Sequence, residues 1–247
     1  PQIPSNYDNF VWSGSGESFY FTSNEGQEMN ALRQYDLSSA TERILFSGVY
    51  DIESVQVCMQ GKYLVWTTNE SGFDKLHIYH LQRDNQQQIP LPQGVYSLSC
   101  AEQGKDLLVR ITGPTTPGSV YLVDLTNQQT ELLLAPNMAG VDNEEMLSPI
   151  AVSMPARDGV TIYGLLYLPR SKQDTLPPII FNVHGGPTSQ SRASWKPAIQ
   201  YLLGKGVAVL DINVRGSTGF GKTYAQLDNQ EKRLDSVRDL VDALAWL

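Results

Sequence analysis

The chain has 247 residues, with 18 Lys and Arg against 26 Asp and Glu and a formal net charge of −8. Its 41% apolar and 18% charged residues are the composition of a globular protein, and the acidic balance excludes the clustered basic face that nucleic-acid binding needs. No apolar run approaches the roughly 18–20 residues of a membrane span, so neither a nucleic acid nor a membrane is expected as a partner.

Charge divides the chain. Residues 1–148 carry 7 basic and 18 acidic side chains, a net −11, whereas residues 149–247 carry 11 and 8, a net +3. Such asymmetry marks two structural units. Between them, 137–148 is polar, lacks strand alternation and reads as a linker. From the N-terminus, Pro1 to Phe10 is polar and lacks the charged-then-apolar order of a secretory leader. No compartment is fixed by this; the reading leans to the cytoplasm.

A repeat follows. Tyr35-Asp36-Leu37, Tyr79-His80-Leu81 and Val123-Asp124-Leu125 recur every 44 residues, and Phe21-Thr22-Ser23-Asn24-Glu25 is echoed 45 residues later by Trp66-Thr67-Thr68-Asn69-Glu70. Within one unit the pattern runs strand 62–67, polar turn 69–75, strand 76–81, polar turn 82–88. Alternating apolar residues bounded by Gly, Asn and Asp are antiparallel strands. A period of about 40–45 residues with about four short strands is that of propeller blades. Three blades are therefore expected, at 5–48, 49–94 and 95–136, together forming a domain 1–136. His77 and His80 share a strand, but side chains at i and i+3 point to opposite faces, so they cannot chelate one ion and read as solvated strand residues. Cys58 and Cys100, the only cysteines, occupy corresponding early strands of adjacent units. They are too few for a disulfide framework or a cysteine zinc site and read as reduced, small apolar residues. No metal or cofactor is expected.

In the second unit, 149–247, runs 150–154 and 160–168 flank Arg157-Asp158-Gly159, a strong hairpin signal. The β-branched run 179–183 reads as a strand covered on both faces. Residues 197–203 carry Ile199, Leu202 and Leu203 at helical spacing before Gly204 and Gly206. Residues 207–210 form another buried strand, and 235–247 an amphipathic helix with a stripe of Val237, Leu240, Val241, Leu244 and Leu247. Ser236 and Asp239 resemble a capping box at its start. Strands alternating with helices make a parallel sheet under helices, and the leading hairpin makes it mixed. That order is the opening, N-terminal half of an α/β-hydrolase domain.

Directly after 179–183 comes His184-Gly185-Gly186-Pro187. Paired glycines past a strand let the backbone approach a ligand closely, because no Cβ intervenes. In α/β-hydrolases this loop supplies an oxyanion-hole N–H. After the next strand, Asn213-Val214-Arg215-Gly216-Ser217-Thr218-Gly219-Phe220-Gly221 fits neither a dinucleotide nor a phosphate-cradling fingerprint. Arg215 there either anchors the loop or contacts substrate.

Together Ala156-Arg157-Asp158-Gly159, Leu165-Leu166-Tyr167-Leu168-Pro169, Val183-His184-Gly185-Gly186-Pro187 and Asn213 to Gly221 resemble the prolyl oligopeptidase family of serine peptidases, most closely its acylaminoacyl-peptidase and dipeptidyl-aminopeptidase-like branch. Val214, where the family often has Tyr, and Gln230-Glu231-Lys232-Arg233, in place of a Trp-Gly element, depart from the pattern. The resemblance implies cleavage of short peptides by a Ser-Asp-His triad behind a gating propeller. It gives Gly185 and Gly186, with His184 beside them, the oxyanion-loop role. No Gly-x-Ser-x-Gly occurs: two residues to either side, Ser15 has Ser13 and Glu17, and Ser217 has Arg215 and Gly219. The nucleophile is therefore expected beyond Leu247, and the chain alone is expected to be inactive, an internal segment of a larger peptidase that could form homo-oligomers. Two other readings stand beside this one. One is a carboxylesterase, and the other a non-catalytic peptide-binding propeller in which Glu25 and Glu70, at equivalent blade positions, hold a peptide's amino group.

Overall fold

The computed structural model describes residues 4–101, 104–170, 176–186 and 188–247. Two compact units are present, the first made of 1–112 and 118–136, the second of 113–117 and 137–247.

The first unit is three four-stranded antiparallel sheets, each strand paired with the next in sequence: β1 (Tyr7–Trp12) to β4 (Thr41–Phe46) through β2 (Ser18–Ser23) and β3 (Ala31–Asp36); β5 (Asp51–Cys58), β6 (Tyr63–Glu70), β7 (Phe73–His80) and β8 (Asn85–Ile89); and β9 (Val95–Cys100), β10 (Asp106–Gly113), β11 (Thr116–Asp124) and β12 (Thr130–Leu134). These are propeller blades. The first strand of each lies beside the first strand of the next, β1 by β5 and β5 by β9. Apolar side chains fill both seams. Tyr20 and Leu32 of the first blade meet Ile52, Val55, Leu64 and Trp66 of the second, and Val65, Leu76 and Ile78 of the second meet Leu107, Val109 and Ile111 of the third. Main-chain bonds continue across them: Ile52 N–H donates to Asn30 O at 3.0 Å, and Asp74 N–H to Gly94 O at 2.8 Å. At the first seam two corner glycines also meet, since a Cβ on Gly14 would lie 2.4 Å from Gln60 O and one on Gly61 2.9 Å from the Gly14 Cα.

Three details of the blade expectations are corrected. The supposed turn 69–75 is mostly strand, because β6 and β7 are joined by only Ser71-Gly72, with Glu70 opposite Phe73. Both turn residues have positive φ, +54° and +96°, the two-residue geometry that matches strand twist. The stretch 82–88 likewise holds the start of β8. The histidines are ring partners as well as partly exposed strand residues: His77 stacks on Trp66 at 5.4 Å, and His80 stands edge-on to Tyr63 at 4.7 Å. Burial lowers the His77 pKa, and its Nε2 lies 2.9 Å from Thr68 Oγ1.

The cysteines are the third correction. Cys58 and Cys100 form a disulfide, with Cα atoms 5.5 Å apart, inside the range a disulfide spans. They end β5 and β9, neighbouring first strands, and the side-by-side packing of equivalent blade positions brings the sulfurs together.

The second unit centres on a mixed sheet, β13 (Ile150–Pro155), β14 (Thr161–Tyr167), β16 (Ala208–Asn213) and β15 (Ile179–Val183), in that spatial order. β13–β14 and β14–β16 are antiparallel, β15–β16 parallel. The Asp158-Gly159 hairpin forms as its residues dictate, with Gly159 at φ +85°. Every residue of β16 is buried, whereas β15 is an edge strand with Ile180 45% and Val183 46% exposed. The reading of 179–183 as a strand covered on both faces is corrected accordingly. Helix α1 (Pro197–Gly204) opens with Pro at its first position and ends at Lys205 and Gly206, where φ of +79° suits glycine. A short α2 (Lys222–Gln226) precedes α3 (Arg233–Trp246). Ahead of the sheet, Leu147 is held at both its N–H and its carbonyl by the Gln200 amide.

Helix α3 packs Leu240 of its apolar stripe on the sheet core and leaves most of the stripe uncovered. Val237, Val241, Leu244 and Leu247 are exposed, and Ser236, Asp239 and Ala243 are buried. Nor do Ser236 and Asp239 cap it. The helix starts at Arg233, so Ser236 is interior and its hydroxyl donates back to Arg233 O at 2.8 Å. Ala243 joins Leu210, Ile212, Met154 and Ile162 in the core of one sheet face.

Candidate functional site

The candidate residues gather past the carboxyl end of the parallel pair β15–β16, the kind of position at which open α/β sheets bind ligands. On β16, Leu210 and Ile212 face the α3 core. Alternation turns Asp211 and Asn213 to the other face, where they meet the stretch leading into α1.

Asp211 is fully buried and taken by three donors. Asn182 Nδ2, directly across the ladder on β15, donates at 2.7 Å, and Ser191 Oγ and Lys196 Nζ complete the set. A buried carboxylate needs such partners, because an unpaired one costs several kcal/mol. Asn213 Oδ1 accepts the Ser191 N–H at 2.6 Å, and its Nδ2 donates to Ser191 O at 3.2 Å. Thus the end of β16 is fastened to the segment that follows the glycine loop, and Thr218 N–H adds a bond to Ser189 O at 2.9 Å.

His184, Gly185 and Gly186 leave β15 together at this end. Ser217 Oγ donates to Val214 O at 2.7 Å and lies 3.1 Å from His184 Nε2, while His184 Nδ1 lies 3.1 Å from Gly185 O. The contact of His184 with Ser217 joins the glycine loop to the loop after β16. Gly185 is exposed, and a Cβ there would meet nothing within 4 Å. Gly186 has φ +132°, and a Cβ there would approach Thr188 N to 3.0 Å. Among the described residues neither glycine N–H donates within the chain, so the loop has amides to offer an anionic oxygen. Pro187 lies outside the described residues.

Arg215 anchors its loop, one of the two roles its position in the sequence left open. It is 4% exposed, its Nε and Nη2 donate to Asp239 at 3.0 and 2.7 Å, and its Nη1 and Nη2 donate to Asp158 at 2.7 and 3.0 Å. Its own N–H donates to Asp239 Oδ2 at 2.9 Å. One guanidinium therefore ties the β13–β14 hairpin and α3 to the loop after β16. Bonding to Arg215 lowers the Asp158 pKa to about 2 and, with Asp239, raises that of Arg215. Tyr163, Phe220 and Tyr224 brace the same loop, the first two stacked at 4.3 Å, and Tyr224 OH donates to Asn213 O at 2.8 Å.

The sequence reading missed Asn182, Ser191, Lys196, Asp211 and Asp239. Asp211 carried the one available signal, a carboxylate inside an otherwise apolar strand. Glu25 and Glu70 serve their own blades. Glu25 O accepts from Arg33, its carboxylate accepts from Tyr7 and raises that phenol's pKa, and Glu70 Oε1 lies 3.5 Å from Thr68 Oγ1. Among the described residues no three metal-ligating side chains cluster.

Residues 5–136 match the family domain described as "Prolyl oligopeptidase, N-terminal beta-propeller domain". The chain belongs to the prolyl oligopeptidase family. Within reach of this family, dipeptidyl aminopeptidase BIII of Pseudoxanthomonas mexicana is 38% identical over 102 residues, 38% of this chain and 15% of that protein. An uncharacterized peptidase of Bacillus subtilis (strain 168), YuxL, is 32% identical over 151 residues, 60% of this chain and 22% of that protein. A crystal structure of puromycin hydrolase shares the fold over 98% of this chain and 38% of its own, with a TM-score of 0.83 and 20% identity. The chain spans between 15% and 35% of the curated relatives it matches.

Proposed function

We propose that the chain is the part of a serine peptidase acting on short peptides that supplies gating propeller blades and the oxyanion loop. On this reading the mixed sheet is the first half of an α/β-hydrolase domain, and the parallel pair β15–β16 is where its active-site crevice begins. The observation that carries it is the position of His184-Gly185-Gly186. These residues sit immediately past a parallel strand, tied by His184 to Ser217, with two exposed glycine amides.

When a nucleophilic hydroxyl attacks a peptide carbonyl, negative charge develops on its oxygen. A fixed N–H aimed at that oxygen stabilises the transition state by about 3–4 kcal/mol. Gly185 and Gly186 supply that donor. Asp211 and Arg215 hold the two loops in register so that no reorganisation is needed during the reaction. The blades limit entry to short chains, as the dipeptidyl aminopeptidase and peptidase names of the relatives suggest. The attacking serine is not among these residues, which lack Gly-x-Ser-x-Gly, so the 247-residue chain alone does not turn over.

The test is hydrolysis of a chromogenic aminoacyl amide and an aryl ester by the full-length polypeptide and by this chain. Amide turnover by the full-length polypeptide only, abolished by a serine-directed phosphonate, is the expected result. Phosphonate-sensitive turnover by the 247-residue chain, or ester hydrolysis without amide hydrolysis by the full-length polypeptide, would overturn the reading.

A further inference from the structure

The two blade seams are closed differently. The first has the touching glycines Gly14 and Gly61 at its corner, and the second has the Cys58–Cys100 disulfide at the equivalent place. The disulfide lies at one end of the second seam. At the other, Asp74 N–H donates to Gly94 O, and Tyr96 N–H to Asp74 Oδ2 at 2.7 Å. The two cysteines are not equally sheltered. Cys58 is 2% exposed within the apolar cluster shared by both blades, whereas Cys100 is only partly buried at the edge of that cluster.

We propose that Cys58–Cys100 is a redox-controlled clasp: thiol–disulfide exchange entering at Cys100 opens and closes the seam between the second and third blades. This concerns the propeller alone and does not rest on the peptidase reading. The co-reactant is a small-molecule thiol such as glutathione. Its thiolate attacks the Cys100 sulfur and forms a mixed disulfide. The Cys58–Cys100 bond breaks, and its electron pair leaves on Cys58, which takes up a proton. A second thiolate attacks the small-molecule sulfur of the mixed disulfide and releases Cys100, which is protonated in turn. Two small thiols are thereby oxidised to one disulfide, and the protein disulfide is reduced to two thiols. The reverse sequence, driven by the oxidised small molecule, closes the clasp. Exchange is directed by access to the sulfur attacked, and Cys100 is the less buried of the two residues. Among the described residues no main-chain hydrogen bond joins β5 to β9 at this end, so opening leaves their side-chain packing to hold it.

The 247-residue chain, purified without reductant and denatured in maleimide, is expected to take up no label before reduction and two labels after it. Brief glutathione treatment quenched in acid should place the adduct on Cys100. Hydrogen exchange across 51–58 and 95–100 should quicken at least tenfold on reduction, while 18–36 is unchanged. The variant C58A/C100A should exchange fast at both sites whether or not reductant is present. Two labelled thiols before reduction, an adduct on Cys58, unchanged exchange on reduction, or a reductant effect persisting in the variant would each overturn the clasp.

Discussion

Replacing Asp239 by Ala removes the inner half of the clamp around Arg215. Asp239 is fully buried, and the Arg215 side chain is 5% exposed. Breaking a buried pair by deleting one partner costs about 3–5 kcal/mol, because the remaining charge is left uncompensated. Asp158, 46% exposed, stays bonded to the other side of the guanidinium, which sets the expectation at the low end, about 3 kcal/mol. The orphaned Arg215 N–H, which loses its 2.9 Å acceptor, is part of that cost. Native-state hydrogen exchange of the 247-residue chain reads this locally. At about 1.4 kcal/mol per tenfold, amides in β16, the loop 214–217 and α3 should exchange on the order of a hundredfold faster in D239A. Those of β1 to β12 should not change. Asp239→Asn, which keeps an acceptor for the N–H, should lose less, and R215M/D239L should cost less than the sum of its single replacements. Exchange in D239A within threefold of the parent would refute the argument that this pair holds α3 to the sheet.

The Cys58–Cys100 loop encloses a sequence separation of 42 residues, for which the chain-entropy model gives about 4 kcal/mol. C58A/C100A should therefore lower the urea midpoint of blade unfolding by up to that equivalent, followed by far-ultraviolet circular dichroism. Asp158 has a folded pKa of about 2 against an unfolded value of about 3.9. Its contribution is complete above pH 4 and lost as pH falls through 2, so the stability difference between parent and D158N should vanish across that window in acid titrations. Gly216 has φ +93°, and a Cβ there would lie 2.3 Å from Asp228 Oδ1. Gly216→Ala should cost about 1–3 kcal/mol, seen as a lower midpoint of thermal unfolding in the second unit.

The blades were legible because each repeats its own strand chemistry: Tyr35-Asp36-Leu37 and Tyr79-His80-Leu81 both close a third strand. The turn at Ser71-Gly72 was not, since Asn69, Glu70 and Asp74 are polar residues inside strands and hide a two-residue connection. Run 179–183 was found as a strand, but β-branched composition does not separate an edge from a centre. In α3 the apolar stripe gave the helix, and Leu240 of it packs on the sheet core, but the burial of a carboxylate on the same helix was not legible. Asp239 is buried by a guanidinium 24 positions earlier, and such a partner leaves no periodic mark. The glycine loop was visible from its residues and its place after a strand. Its fastening by Ser217, Ser191 and Asp211 arises only when parallel strands bring distant segments level. The cysteine pair was within reach, because equivalent positions of adjacent blades lie side by side, and a spacing near the repeat period already put both sulfurs at such positions.

Gly14 and Gly61 bear on how such an arc of sheets can change over evolutionary time. Where two backbones touch, every mutation at either position inserts volume into a joint with no slack, so that corner tolerates almost no sequence drift. Neighbouring surface loops carry no such constraint. An engineer wishing to alter the pitch between the first two sheets would have one lever there: a single methyl group on Gly14 forces the corner to spread or the chain to abandon the joint.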